Sequence, residues 1–453
     1  MGEDSNVTKL FKLLQENSTN QISKALDDIH PADIIDALDE YEGDRTLLLS
    51  RFPIEVLAAI IEEAEDDEKG ELFDLFSIEK KKEIVNEMAS DELVDLLETM
   101  DPEEASDMLD SMDEEDAQDI KELMRYHPET AGGIMATEFV AIVDEMTIEE
   151  TLKYLQTHGD EAESLSYLYV LNHDEILQGV VSLRDVVTTP FDAQIAPLIN
   201  TNVISVKPEL DQEEVSHIFT KYGFASVPVV DENNKMLGII TADDILDVVL
   251  EESTDDIEKM AALSHGEGTY LETGVFKLSK QRMFWLLFLM ISATFTGVII
   301  QGYEQELASF VILAAFIPML MDTGGNAGSQ SSTLVIRGMA LGEISNKDYL
   351  IVLYKELLVS GIVGLVLAFV NFLRVWLFYK DIMLALTVSC ALIFTVILAK
   401  TVGSMLPILA KKLKIDPAIM AAPIITTIVD AISLIIYLHL AKLLYIGKTL
   451  PIS

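Results

Sequence analysis

A helix needs about 20 mostly apolar residues to cross a bilayer, and after Arg282 the chain supplies five such stretches in succession. They run over Phe284–Ile300, Phe310–Ile336, Tyr349–Phe372, Ile382–Leu409 and Ile419–Leu444. Nothing of that length or composition occurs before Arg282, so the sequence divides into a polar part and a membrane part. Charge divides at the same place. Of the 76 acids, 67 precede the first stretch, against 20 of the 31 Lys and Arg, a net −47; the remainder is close to neutral. So negative a field repels nucleic acid and anionic lipid and concentrates cations, although solubility alone also selects for it. The one cysteine, Cys390, sits in an apolar run, which excludes a disulfide framework.

The basic residues flanking the apolar stretches set an expected direction. Lys277, Lys280 and Arg282 precede the first, Arg337 and Lys347 follow the second, and Lys411, Lys412 and Lys414 follow the fourth. The positive-inside rule then places residues 1–282 in the cytoplasm and the C-terminus outside, with Arg374 and Lys380 dissenting. The opening MGEDSNVTKL is polar and shows no signal peptide.

Residues 20–130 repeat short amphipathic segments such as HPADIIDALDEY, FPIEVLAAIIEE and SDELVDLLETM. Each places apolar residues at i, i+3, i+4 behind a Pro, Ser or Asp start, which predicts a small helical superhelix or an irregular bundle. From about Ala136 a strand–helix pattern occurs twice. SLSYLYVLN with LQGVVSLRDVV is one copy and GFASVPVVD with MLGIITADDIL the other, so that Gly179, Ser182 and Asp185 repeat as Gly238, Thr241 and Asp244. This resembles a tandem pair of CBS domains, a module that often binds adenine nucleotides through such a Ser or Thr and Asp and is often empty. The helix expected next carries Asp244, Asp247, Glu251, Glu252, Asp255 and Asp256 on its exposed side. Like charges at this spacing destabilise a helix unless neutralised. A divalent cation would do it; a solvated acidic face is the alternative.

Two polar features sit where lipid should be. PMLMDTGGNAGSQSSTLVIRG, at 318–338, carries Asp322, Asn326 and Gln330, with Gly324, Gly325 and Gly328 allowing close backbone approach. Asp430 lies in the middle of the fifth stretch, one turn after Thr426 and Thr427. A charge mid-span marks an ion path or a paired site, and Lys400 in the fourth stretch is the available partner. Pro318, Pro407, Pro417 and Pro423 are expected to free carbonyls by breaking helices. A single central aspartate on five helices is expected to need a two-fold dimer with the pore on its axis. No phosphate loop, metal-hydrolase His pair or nucleophile elbow is present, so no enzyme is expected.

With HPADI, YHPETAGGIM, PMLMDTGGNAGSQSS, Asp430 and the CBS pair in this order, the whole chain resembles the MgtE family of magnesium channels and transporters. The resemblance implies a multidomain fold: an α-helical superhelix over 1–133, an α+β tandem CBS pair over 134–250 (134–198 and 199–250), a connecting plug helix over 251–282 and a five-helix α transmembrane domain over 283–453. It implies a homodimer in a bacterial plasma membrane that takes up Mg2+ and closes when cytosolic Mg2+ binds. Asp430, Asn326, Gly325, Gly328 and Thr426 would line the ion path. Asp91, Asp95, Asp211, Glu213, Asp244, Asp247, Glu252, Asp255 and Asp256 would hold regulatory Mg2+. Tyr167, Arg184 and Asp185 would contact ATP. Ala422 and Gly223 depart from the pattern, the first by offering no polar group to the pore and the second no carboxylate to the regulatory set. A Na+- or H+-coupled carrier using Asp430 and Lys400, or a non-transporting receptor reading adenylates, remains open.

Overall fold

The computed structural model describes residues 29–446 apart from 40, 42–43, 65, 161, 265–269, 271–272 and 421. The polar N-terminal segment and the last seven residues, on which the expectations about a signal peptide and the C-terminus bear, lie outside the described residues. The chain forms two compact units, Met1–Leu250 and Glu251–Ser453.

The first unit opens with short helices: α1 (Pro31–Asp39), α2 (Arg45–Leu49), α3 (Ile54–Glu62), α4 (Asp66–Phe73), α5 (Ile78–Val85), α6 (Ser90–Thr99), α7 (Pro102–Leu109) and α8 (Glu114–Leu123). Their starts follow from local chemistry. Asp44 and Ser77 accept from the third backbone N–H of their helices, and Pro102 opens α7 where a missing N–H costs nothing. Each buries one apolar face, Leu57, Ile60 and Ile61 on α3 and Leu93, Leu96 and Leu97 on α6.

Two strand–helix modules follow. The first contains β1 (Phe139–Ile142), α9 (Ile148–His158), β2 (Ser164–Leu171), β3 (Leu177–Ser182) and α10 (Leu183–Thr188). The second contains α11 (Gln212–Tyr222), β4 (Ser226–Val230), β5 (Met236–Thr241) and α12 (Ala242–Met260). β1 pairs parallel with β2 and β2 antiparallel with β3, while β4 and β5 form the matching hairpin. Val206 supplies by a single parallel bridge to Val229 what β1 supplies in the first module. The repeated glycines have a steric cause. A Cβ on Gly179 would come 2.8 Å from the Asn200 carbonyl oxygen, and one on Gly238 would come 2.6 Å from that of Ala136. Each glycine thus admits the backbone that leads into the other module.

The apolar core does not stop at residue 133. Leu93, Leu97 and Met108 of the helical region share one core with Val215, Val227 and Ile240 of the second module, whereas Val140, Ile148, Val170 and Val181 form a core of the first. Tyr169, buried between the modules, hydrogen-bonds the Ser226 hydroxyl at 2.8 Å.

The second unit holds α13 (Val275–Gly302), α14 (Glu304–Ser309), a 3-10 turn (Val311–Phe316), α15 (Ile317–Ala340), α16 (Tyr349–Tyr379), α17 (Ile382–Lys412) and α18 (Ala422–Leu440). Among the described residues, five spans of 28 to 34 residues are long and apolar enough to cross a membrane, which makes this a multi-pass membrane protein. α13 has no buried residue and shows Phe284, Leu286, Met290 and Phe295 on its surface, as a helix facing lipid does.

Two expectations need correction. The connecting helix expected over 251–282 is not one helix. α12 stops at Met260, Ala262 takes a left-handed φ of 56°, and helix resumes at Val275 as the start of the first span. The prolines do not break the spans either. Pro318 and Pro423 each take the second position of a helix and Pro417 precedes one, where no intrahelical N–H is lost, and α17 runs through Pro407.

Candidate ion path and regulatory carboxylates

Along α15 the residues alternate between two faces. Gly324, Gly325, Ala327, Gly328, Ser331, Ser332 and Val335 are buried, while Asp322, Asn326, Gln330, Thr333 and Arg337 are exposed. These exposed polar residues recur every three or four positions and form one stripe down the span, with Leu334 exposed beside them. Lipid would strand these groups without partners, so the stripe must face water or protein. Asp430 on α18 is half-buried and close enough to Asp322 for their charges to repel.

The glycines give the close backbone approach expected of them. They sit on the buried face and let α15 press against α17 and α18. A Cβ would come 3.0 Å from Thr426 Cγ2 at Gly325 and 2.6 Å from Ile425 Cγ2 at Gly328. A Cβ on Gly403 of α17 would lie 2.2 Å from the Gly328 carbonyl oxygen, so two helix backbones touch there. Thr426 and Thr427 both donate to the Pro423 carbonyl, at 2.9 and 3.0 Å, and the Thr426 methyl covers Gly325. Lys400 does not pair with Asp430. It is buried and donates to the Ser331 hydroxyl at 3.2 Å, which donates to Glu356 Oε2 of α16 at 2.6 Å. Arg374, which dissented from the charge rule, donates to Asn371 Oδ1 of its own helix at 2.8 Å.

In the first unit the start of α6 meets the start of α12. The Asp91 carboxyl is held well above the usual range by burial, then by Asp244, Glu92 and Glu163. Asp244 is raised by burial, against hydrogen bonds from the Thr241 N–H and hydroxyl, with Asp243 and Asp247 adding repulsion. Glu163 reaches about 7, from desolvation first and then Asp244, Asp243, Glu138 and Glu62. Lys69 is the cation at the margin, bound to Glu92 at 2.6 Å. Glu62, Glu138 and Glu163 were not singled out in the sequence, because they come from a helix end and two strand approaches with no common spacing. No three His, Cys, Asp or Glu side chains among the described residues converge as direct ligands of a bare ion. Crowded carboxylates at longer range suit a cation that keeps its water.

The other expected regulatory acids are spread over α6, α11 and α12. Asp211 caps α11, accepting from the Glu213 N–H at 2.9 Å, and Glu213 stands 3.9 Å from His217. Asp95 lies on α6, one turn beyond Asp91. Asp247 lies on α12, one turn beyond Asp244. In the second unit Lys259 bridges Asp255 and Asp416, the latter at 2.5 Å. That ammonium is held above its ordinary range, burial opposing and the two carboxylates outweighing it. A lysine thus supplies at Asp255 the neutralisation expected from a metal; Glu252 and Asp256 are half-buried on the same helix.

Tyr167, Arg184 and Asp185 meet at the corner between β3 and α10. Tyr167 pairs with Ser182 across the hairpin, the Ser182 hydroxyl donates to Asp185 at 2.7 Å, and Arg184 is exposed beside them. The second module makes the same Thr241–Asp244 contact, but there the carboxylate faces other acids. One repeated motif therefore presents an open polar corner in the first module and a carboxylate cluster in the second.

Comparison with known proteins agrees with this layout. A divalent cation transporter family model, MgtE, matches residues 317–440, the MgtE intracellular N domain matches 29–129, and CBS domains match 131–191 and 195–251. The magnesium transporter MgtE of Thermus thermophilus is 34% identical over 98% of this chain and 99% of its own length. That of Bacillus subtilis is 33% identical over 97% and 98%. Among solved structures, the cytosolic domain of the Mg2+ channel MgtE in complex with ATP is 33% identical with a TM-score of 0.50, covering 53% of this chain and 99% of that one. The soluble part of a magnesium transporter is 32% identical with a TM-score of 0.53, covering 55% and 99%.

Proposed function

This chain belongs to the MgtE family of magnesium transporters, and from that premise we propose that it conducts Mg2+ along the axis of a two-fold dimer and closes when cytosolic Mg2+ rises. The observation that carries the reading is the polar stripe of Asp322, Asn326 and Gln330 on a span beside Asp430. One copy leaves these groups on its surface. Two copies related by a two-fold axis along the stripe would enclose them in a water-filled path with an Asp430 from each side.

Mg2+ gives up its water reluctantly, so Asp430 and Asn326 would hold a largely hydrated ion through its waters. Thr426 and the glycines Gly325 and Gly328 set the wall behind them. Closure would arise in the first unit, where Asp91, Asp244 and Glu163 repel one another until a divalent ion enters among them. The ion favours the closed state by the ratio of its affinities for the two states and no more. ATP at Tyr167, Arg184 and Asp185 would tune that balance, as the ATP complex of the relative's cytosolic domain suggests. The plasma membrane is the proposed site, with the N-terminal half in the cytoplasm.

A sodium- or proton-coupled carrier built on an Asp430–Lys400 pair loses its main support, because Lys400 is engaged by Ser331. Planar-bilayer recording of purified protein tests the proposal, with Mg2+ on the N-terminal side stepped from micromolar to millimolar. Discrete Mg2+ currents that shut as the concentration rises are expected. Uptake into liposomes with no unitary current under any condition means a carrier and overturns it.

A further inference from the structure

Three membrane helices carry a polar chain that the ion path does not use. Lys400 on α17 is 6% exposed, Ser331 on α15 is 1% exposed, and Glu356 on α16 is half-buried. The hydrogen-bond directions are fixed by chemistry. An ammonium only donates and an ionised carboxylate only accepts, so the single Ser331 hydroxyl takes a bond from Lys400 at 3.2 Å and gives its proton to Glu356 at 2.6 Å. The result is an ion pair with a hydroxyl in its middle, one member from each of three helices.

Its place in the packing adds to this. Ser331 lies one turn after Gly328 and Lys400 one turn before Gly403, and those glycines mark the point where the backbones of α15 and α17 touch. A close contact between glycines fixes how near two helices come, but a smooth contact leaves rotation about the helix axis weakly determined. Ser331 is on the buried face of α15, behind the stripe of Asp322, Asn326 and Gln330. A directional bond on the back of a helix fixes the bearing of its front.

We infer that Lys400, Ser331 and Glu356 are positioning residues for ion conduction: their hydroxyl-bridged ion pair sets the rotation of α15 and so the aim of Asn326 and its neighbours at the passing ion. The inference rests on the transport reading above. Lys400 and Glu356 balance each other, so removing either strands the other charge in the span, whereas removing both does not.

The test is Mg2+ flux into proteoliposomes, alone and with competing Ca2+, beside thermal unfolding of the purified protein. Lys400→Met and Glu356→Gln should each lower flux at least tenfold and flatten the preference for Mg2+ over Ca2+. The double variant should regain most of the flux, because no lone charge remains, while its selectivity stays blunted for want of the bridge. Ser331→Ala should unfold near the parent temperature yet lose selectivity, and Ser331→Thr, which keeps the hydroxyl, should restore it. Folded single variants with parental flux and selectivity overturn the inference, as does a double variant no better than the singles. Should the single charge variants fail to fold, the Ser331 pair decides: Ala equal to Thr in selectivity sinks it. Absence of Mg2+ flux in the parent protein would instead sink the transport reading.

Discussion

Gly403 shows how a residue with no chemistry of its own can limit a membrane domain. The distance of 2.2 Å from its absent Cβ to the Gly328 carbonyl oxygen is far inside van der Waals contact, and the atoms met are backbone, which cannot swing aside as a flexible side chain would. Gly403→Ala should therefore lower stability by about 1–3 kcal/mol, as overpacking does elsewhere, and should reduce Mg2+ uptake even though it touches no polar group. Thermal unfolding in detergent alongside liposome uptake checks both. Gly361, which meets nothing within 4 Å, is the control, and Gly361→Ala should match the parent. At Asp430 the expectation is the reverse, with Asp430→Ala keeping the fold and losing Mg2+ uptake, measured by the same pair of assays. Asp430 was legible in the sequence because a charge among apolar residues stands out. Gly403 was not, because a glycine in an apolar run reads the same whether it faces lipid or another backbone.

At the scale of elements, α6 and α12 bring together acids about 150 positions apart in sequence, and the consequence is a pH dependence of known sign. A carboxyl whose pKa in the folded chain exceeds its ordinary 4.5, as that of Glu163 does at about 7, binds its proton more tightly folded than unfolded. Without divalent ions the first unit should thus be least stable above pH 7. It should gain stability as pH falls through 7 towards 4.5, and Asp91 and Asp244 push the same way. A gain of a few degrees in melting temperature between pH 8 and pH 6 is the scale to expect. Mg2+ at pH 8 should reproduce that gain, and Glu163→Gln should shrink both. Melting curves across that range decide it, and a curve flat in pH without Mg2+ would remove the cluster from the account. The sequence displayed the repeated motif that ends in Asp185 and Asp244, and hence both modules. It did not display Glu62, Glu138 and Glu163, because amphipathic periodicity describes one element at a time. The side chains that a fold gathers from separate elements have no shared period to read. The same reason hid the partner of Lys400, which lies 69 residues away on another helix.

For the whole molecule the decisive question is what covers the stripe on α15. Five apolar spans and a strongly acidic N-terminal part were plain from composition, and the structure adds that Asp322, Asn326 and Gln330 of the second span lie on the outside of one copy. A lipid-facing stripe of this kind would leave Asp322, Asn326 and Gln330 without partners, which hydrocarbon does not tolerate. A second copy turned by two-fold symmetry covers the stripe with itself, because in such an interface the same patch meets itself, and the positions nearest the axis meet their own counterparts. Position 326 is well suited to show it. A path that holds a hydrated ion keeps the two Cα atoms further apart than the about 7 Å a disulfide allows, so a bifunctional thiol reagent long enough to span it is the probe. Asn326→Cys, combined with Cys390→Ser to remove the native thiol, should be joined into a covalent dimer by that reagent in membranes, and Leu365→Cys on the exposed face of α16 should not. If Mg2+ closes the path by narrowing it, cross-linking at 326 should also change in rate between Mg2+-free and Mg2+-rich buffer. A chain that stays monomeric on gels with either cysteine would mean that something other than a second copy covers the stripe, and the axial pore would then have to be abandoned.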